Sequence, residues 1–228
     1  MFWFGNRAQT RCKKGELPDF VCEYLQKNRA FQASQIIQEA RLVVFDTETT
    51  GLNWKQDRVI SIGAIALRAG RIEVEDSLEV LLHNKSSGNK ESIPVHQILS
   101  RELQAGLSEA EALRLFLNYV GNSVLVAHFI EFDRQIMSQM MQRHFGLPLQ
   151  NACLDTIQLA KRLEQGFQAR HDQQPGLYNL DALCARYQIP ISVRHNAAGD
   201  ALATARLLQV LLRKAQKRGI HTLRDLLR

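Results

Sequence analysis

Residues 43–52 read VVFDTETTGL, an apolar run that ends in two carboxylates, Asp46 and Glu48. Because successive side chains of a strand point to opposite faces, both acids share one face with Leu42 and Val44. The intervening positions are also apolar, which is typical of a central strand that is covered on both faces. The two acids therefore leave the sheet together at the C-terminal end of this strand, where α/β sheets usually carry ligand sites.

Two carboxylates this close on one face repel each other, and burial makes their charge more costly. Sharing a proton is one remedy, and binding a divalent cation is the other. Hard oxygen ligands of this kind suit Mg²⁺ or Mn²⁺. Taken alone, the D-x-E pattern favours a solvated rim at the end of a strand over a metal site.

The rest of the chain predicts an α/β fold. Residues 59–67 (VISIGAIAL) and 72–82 (IEVEDSLEVLL) read as strands, and RAGR between them reads as a hairpin turn. Two further short strands, SVLVAH and NACLD, alternate with amphipathic helices. A three-stranded meander followed by strands that alternate with helices predicts a mixed five-stranded sheet flanked by helices.

Two more acids are predicted to lie at the starts of helices. AHFIEFD contains Asp133 just past a short strand, and HNAAGD contains His195 and Asp200 before the last long helix. Each aspartate could simply decorate a helix N-terminus, where the macrodipole favours negative charge. A helix rotates by about 500° over five residues, so His195 and Asp200 do not share a face. We therefore expect His195 in the preceding loop and Asn196 as the helix cap.

The motifs FDTETTG, H-x-x-x-F-D and H-x-x-x-x-D, in this order and spacing, resemble the three motifs of the DEDDh exonucleases. This group includes the proofreading epsilon subunit of bacterial DNA polymerase III and ribonuclease T. YNLDALCARYQIP followed by HNAAGDA is similar to the epsilon-type branch. The resemblance covers about residues 41–214 and implies a ribonuclease-H-like fold.

The resemblance also implies a reaction and a set of site residues. Asp46, Glu48, Asp133 and Asp200 fill the positions that hold two divalent cations, Mg²⁺ or Mn²⁺. His195 fills the position of the general base. The implied reaction is hydrolysis of a nucleic acid strand from its 3′ end, with release of 5′-mononucleotides.

Further residues are predicted to contact the substrate: Thr47, Thr49, Gly51, Leu52, His96 and Phe129. Leu52 is either an apolar wedge against the terminal base or ordinary turn packing, and His96 is either near the terminal nucleotide or a surface histidine. Phe129 stands where the second motif commonly has asparagine. It either stacks on a base or fills the core.

Composition bounds the partners and the setting. The net charge of +6 and pI near 9.3 are compatible with a nucleic acid partner, although many proteins are mildly basic. None of the four cysteines has C-x-x-C spacing, so we expect reduced thiols and no disulfide framework. The N-terminus lacks a secretory pattern, and no apolar run approaches the roughly 20 residues of a membrane span. We therefore expect a cytoplasmic protein.

The domain organisation and the role leave alternatives open. Residues 1–40 are predicted to form an N-terminal helical extension, and residues 41–228 the exonuclease domain. The favoured role is a free-standing exonuclease on single-stranded DNA or 3′ termini. The alternatives are trimming of RNA 3′ ends, proofreading as the partner of a polymerase subunit, and a module that only binds nucleic acid or a polymerase. QVLL at residues 209–212 weakly resembles a clamp-binding peptide, but it lies within a predicted helix.

Overall fold

The structure is a computed structural model that describes residues 2–83, 105–164, 176–191, 194 and 196–228. The strands are β1 (Arg41–Thr49), β2 (Val59–Arg68), β3 (Arg71–Leu81), β4 (Val124–Ala127) and β5 (Cys153–Asp155). The helices are α1 (Phe2–Lys13), α2 (Asp19–Arg29), α3 (Glu109–Val120), α4 (Ile130–Phe145), α5 (Thr156–Glu164), α6 (Leu180–Arg186), α7 (Ala197–Lys217) and α8 (Leu223–Leu226).

The strands form one mixed five-stranded sheet in the order β3-β2-β1-β4-β5. The first three strands pair antiparallel, and β4 and β5 run parallel to β1. Ala69 and Gly70 connect β2 to β3 with φ angles of 49° and 72°. Two successive positive φ angles are what a tight hairpin requires to match the twist of its strands. The predicted meander and the predicted mixed sheet are confirmed.

The central strand β1 is covered on both faces, as its sequence predicts. Val43 and Phe45 belong to an apolar cluster with residues of α3 and α4. Leu42 and Val44 belong to a second cluster, which includes the inward face of α7. Since helices cover both faces, residues 42–45 of β1 are buried and apolar, and the acids emerge at its C-terminal end.

The helix ends follow local sequence signals. Ser108 and Glu111 form a reciprocal capping box at the start of α3, and Gly146 ends α4 with a φ of 67°. The Asn196 side chain accepts a hydrogen bond from the Gly199 amide (3.1 Å), so it caps α7 as predicted. The QVLL stretch lies inside α7 with Leu211 fully buried, so it is core.

The first two helices pack against the rest of the described chain. Tyr24 of α2 is buried, and its hydroxyl donates to Asn151 Oδ1 at 2.7 Å. Cys12 and Cys22 form a disulfide that joins α1 to α2, so the expectation of four free thiols is wrong for this pair. Cys12 and Cys22 are ten residues apart and so lack C-x-x-C spacing. They meet because the two helices fold against each other. The division of the chain into an N-terminal extension (residues 1–40) and an exonuclease domain (residues 41–228) stays a prediction.

In the part of the chain that the structure describes, no helix is both long and apolar enough to cross a membrane.

Candidate metal centre

Three carboxylates converge at the C-terminal end of β1. Asp46 and Glu48 come from the strand, and Asp200 comes from the first turn of α7. Each offers one oxygen, and these oxygens lie within 4.8 Å of one another. Asp200 is 8% exposed, whereas Asp46 and Glu48 are half-buried and keep a surface toward solvent. We refer to these three residues as the acidic group.

Gly63 allows α7 to begin beside the acidic group. It pairs with Asp46 across β1 and β2. A Cβ atom at Gly63 would lie 2.3 Å from the backbone carbon of Ala197 and from the amide nitrogen of Ala198. Since such a distance is impossible for real atoms, only glycine lets the N-terminus of α7 reach the sheet here. The absence of one side chain on β2 therefore brings Asp200 to Asp46.

Asp133 lies next to the acidic group and is held by β1. It is 5% exposed, and its Oδ1 accepts hydrogen bonds from the Thr47 amide (3.0 Å) and the Thr47 hydroxyl (2.6 Å). The Thr47 hydroxyl is therefore engaged in orienting Asp133, and the predicted contact between Thr47 and substrate stays untested. Asp133 does not belong to the compact group of three.

Burial and mutual repulsion raise the pKa of Asp46, Glu48 and Asp133. The pKa of Asp46 lies well above its usual range because of burial, then repulsion from Asp133, Asp200 and Glu48. Burial, followed by repulsion from Asp200, raises the pKa of Glu48 to about 7. Burial raises the pKa of Asp133 to about 7, although the Thr47 hydrogen bonds act in the opposite direction. Clustered carboxylate oxygens that repel one another fit a hard divalent cation such as Mg²⁺ or Mn²⁺.

One arginine contacts the acidic group. Arg194 donates from Nε to Asp181 Oδ1 at 2.8 Å and from Nη1 to Asp200 Oδ1. Its positive charge lowers the pKa of both Asp46 and Glu48 and so opposes their repulsion.

The loop after β1 presents an exposed apolar side chain, Leu52, four residues after Glu48 in the sequence. Thr49 donates from its hydroxyl to the Gly51 carbonyl at 2.6 Å. The Asp57 carboxylate accepts from the Thr50 hydroxyl (2.8 Å) and would lie 2.7 Å from a Cβ atom at Gly51. Gly51 is therefore needed for close approach of a neighbouring carboxylate. Leu52 is 89% exposed, so it does not pack within the turn.

Phe129 occupies an unusual position at the start of α4. Its φ of 66° is in the left-handed region, which is rare for a bulky residue, and it is 61% exposed. It therefore does not fill the core. Asp133 follows four residues later, in the first turn of α4. Whether Phe129 contacts substrate stays a prediction.

The sequence was compared with protein families and with known proteins. The sequence model of the exonuclease family, RNase T, matches residues 43–208, which include all three carboxylates of the acidic group. The chain belongs to the exonuclease family. The resemblance predicted from the three motifs is confirmed at this level.

Relatives of this exonuclease-family chain include large bacterial polymerases. The PolC-type DNA polymerase III of Clostridium perfringens is 31% identical over 185 residues, which are 81% of this chain and 12% of that protein. The corresponding protein of Lacticaseibacillus paracasei is 29% identical over 191 residues, 83% of this chain and 12% of that protein. This chain therefore spans about an eighth of the length of these curated relatives.

Solved structures share the fold at low sequence identity. Exonuclease X in complex with 5′ overhanging duplex DNA is 22% identical with a TM-score of 0.58, over 77% of this chain and 93% of that one. Cell-death related nuclease 4 is 16% identical with a TM-score of 0.67, over 77% and 64%. E. coli exonuclease I with a dT13 oligonucleotide is 16% identical with a TM-score of 0.65, over 79% and 43%. These likenesses confirm the predicted mixed sheet flanked by helices.

Sequence reasoning identified the acids but missed residues that arrange them. His96 and His195 lie outside the described residues, so their predicted roles stay predictions. Gly63 and Arg194 were missed. A single glycine within a branched strand is a recognised signal for close backbone approach. Arg194 directly precedes the histidine of the third motif, and a cation next to a motif that supplies acids is the signal that could have identified it.

Proposed function

We propose that this chain is a metal-dependent 3′–5′ exonuclease that hydrolyses nucleic acid to 5′-mononucleotides. The observation that carries the proposal is the convergence of Asp46, Glu48 and Asp200 within 4.8 Å, in a chain of the exonuclease family. A group that only binds nucleic acid has no need of clustered, mutually repelling carboxylates. The raised pKa values of Asp46 and Glu48 support a site arranged to receive positive charge.

The proposal assigns the acids to two divalent cations. Asp46, Glu48 and Asp200 would hold the ion that activates the water, and Asp133 would help Asp46 to hold the other. When bound, the two cations supply an activated water and offset the charge that develops on the attacking and leaving oxygens. Thr47 would keep the Asp133 carboxylate in a single orientation through its two hydrogen bonds.

His195 would act as the general base. Imidazole titrates near neutral pH, so a histidine near the acids can accept the proton that the attacking water loses. By sequence, His195 immediately precedes Asn196, which caps α7, and Asp200 lies in the first turn of that helix. This position supports the assignment without requiring His195 to share a helix face with Asp200.

The proposed substrate is a single-stranded 3′ end, with DNA favoured over RNA. Leu52 and Phe129 are large, apolar and exposed, and each lies four residues in sequence from an acid, Glu48 or Asp133, as expected of side chains that contact bases. The net charge of +6 supports a polyanionic substrate. Two structures of similar fold hold DNA, namely exonuclease X with duplex DNA and exonuclease I with an oligonucleotide.

A second candidate function is proofreading in association with a polymerase. The observation that favours it is the match to PolC-type DNA polymerase III proteins at 28–31% identity. In this role the substrate would be a mismatched primer terminus.

Product analysis tests both candidates. The full chain is incubated with single-stranded DNA, matched duplex, mismatched duplex and RNA in Mg²⁺ or Mn²⁺, each labelled at its 5′ end. We expect stepwise shortening from the 3′ end and release of 5′-mononucleotides, with loss of both in Asp46→Asn. Faster digestion of the mismatched than of the matched terminus favours proofreading, and preference for RNA favours RNA trimming. Full activity of Asp46→Asn, or digestion from the 5′ end, refutes the proposed function.

A further inference from the structure

Arg194 stands out because it spans two carboxylates of very different exposure. Its own side chain is 25% exposed, while those of its partners Asp200 and Asp181 are 12% and 63% exposed. One end of the guanidinium therefore reaches into the acidic group, and the other end is held at the surface.

Asp200, the more buried partner of Arg194, is one of the proposed metal ligands. Asp200 belongs to the group of three carboxylates whose oxygens lie within 4.8 Å. A divalent cation held by that group would lie close to any cation paired with Asp200. Like charges at such short range repel strongly where solvent is partly excluded. The ion pair with Arg194 and the metal therefore compete for one carboxylate.

Asp181, the more exposed partner, is a second carboxylate with which Arg194 forms an ion pair. Nε donates to Asp181 Oδ1 at 2.8 Å, independently of the Nη1 contact with Asp200. Arg194 can therefore give up Asp200 and keep a charged partner. This arrangement makes release of Asp200 much less costly than stripping a buried arginine of its only carboxylate.

We infer that Arg194 is an internal counter-ion of the metal-free site, and that divalent cation binding displaces it from Asp200 onto Asp181. The inference rests on the metal site of the proposed function. It adds a residue that opposes metal binding and stabilises the metal-free protein. Metal affinity in this chain is then set by competition as well as by the acids themselves.

Calorimetric titration of the full-length, EDTA-treated protein with Mn²⁺ alone tests the inference. Arg194→Gln removes the competing charge, so we expect Mn²⁺ to bind more tightly, on the order of tenfold, within the range of couplings between interacting sites. We also expect Mn²⁺ to raise the melting temperature more in Arg194→Gln than in the parent protein, because the metal-free variant loses its counter-ion.

Arg143→Gln is the matched control. Arg143 pairs with Glu109 at 2.8 Å and has a side chain 26% exposed, so the same charge and a similarly buried ion pair are lost elsewhere. We expect its Mn²⁺ affinity to equal that of the parent. Arg194→Lys keeps the charge without the two-pronged geometry and should give an intermediate affinity, which preserves the test if Arg194→Gln folds poorly.

The outcomes separate this inference from the proposed function. Unchanged or weaker Mn²⁺ binding in Arg194→Gln, with normal binding by the parent, overturns the role of Arg194 and leaves the metal site standing. Equal strengthening in Arg143→Gln overturns it as well, because net charge alone would then explain the change. Absence of Mn²⁺ binding by the parent overturns the metal site and this inference together.

Discussion

Replacing Glu48 by glutamine should stabilise the metal-free protein at alkaline pH. Burial raises the Glu48 pKa from its ordinary 4.5 to about 7, so the native state holds this proton more tightly than the unfolded chain does. The stability that this proton contributes is complete below pH 4.5 and is lost as the pH rises through about 7. Above that pH the ionised carboxylate opposes folding, and glutamine, which resembles the protonated acid, does not.

The size of the effect follows from the pKa. A rise from 4.5 to about 7 corresponds to about 3.4 kcal/mol. Because Glu48 is half-buried, solvent screens part of this interaction, and we expect a gain of about 1–2 kcal/mol in the free energy of unfolding. The gain should shrink toward zero as the pH falls to about 5, since Glu48 is then largely protonated in the native state.

Urea unfolding followed by circular dichroism measures this difference. Parent and Glu48→Gln are compared in EDTA at about pH 8 and about pH 5. Glu79→Gln, an exposed acid on β3, controls for the loss of one negative charge. In saturating Mn²⁺ the order should reverse, because only the parent keeps all the proposed ligands. Equal or lower stability of Glu48→Gln in EDTA at the higher pH would refute the argument that this carboxylate is held under repulsion.

Three further changes test other parts of the site. Gly63→Ala forces a methyl group against the backbone of α7, so we expect the free energy of unfolding in urea to fall by about 1–3 kcal/mol. Because Asp200 would move with the helix, Mn²⁺ binding measured by calorimetry should also weaken. Values equal to those of the parent in both assays would contradict the packing argument. Phe129→Asn places a residue that tolerates the left-handed backbone at this position, so the free energy of unfolding should rise by about 1 kcal/mol. The same change removes a ring that could stack on a base, so binding of single-stranded DNA, measured by fluorescence anisotropy in Ca²⁺, should weaken by about 1–3 kcal/mol. Unchanged DNA binding would count against stacking. Thr47→Val removes the hydroxyl whose hydrogen bond lowers the pKa of Asp133. The acidic limb of the pH–rate profile should therefore move to higher pH. A limb that does not move would show that Asp133 does not govern it.

Much of the fold followed from local sequence patterns. The run before Asp46 is apolar on both faces, and that pattern depends only on the twofold period of a strand. The caps at Ser108, Gly146 and Asn196 are likewise set by a few neighbouring residues. Such signals are short-range, so one sequence is enough to read them. The resemblance of the three motifs to a family, rather than a local period, predicted a site of Asp46, Glu48, Asp133 and Asp200, and Asp133 lies outside the compact group.

What only the tertiary structure decided is how closely the acids meet and what lies against them. Asp46 and Asp200 are 154 positions apart, and their approach depends on the missing side chain at Gly63 and on the start of α7. The exposure of Leu52 and Phe129, and the pairing of Arg194 with Asp200, also depend on neighbours that are distant in sequence. The sequence by itself determined that Asp46 and Glu48 would leave a central strand on one face at its C-terminal end. The packing of α7 against the sheet determined that Arg194 faces these acids. The strength of that interaction depends on the distance between the charges, and no local sequence pattern specifies that distance.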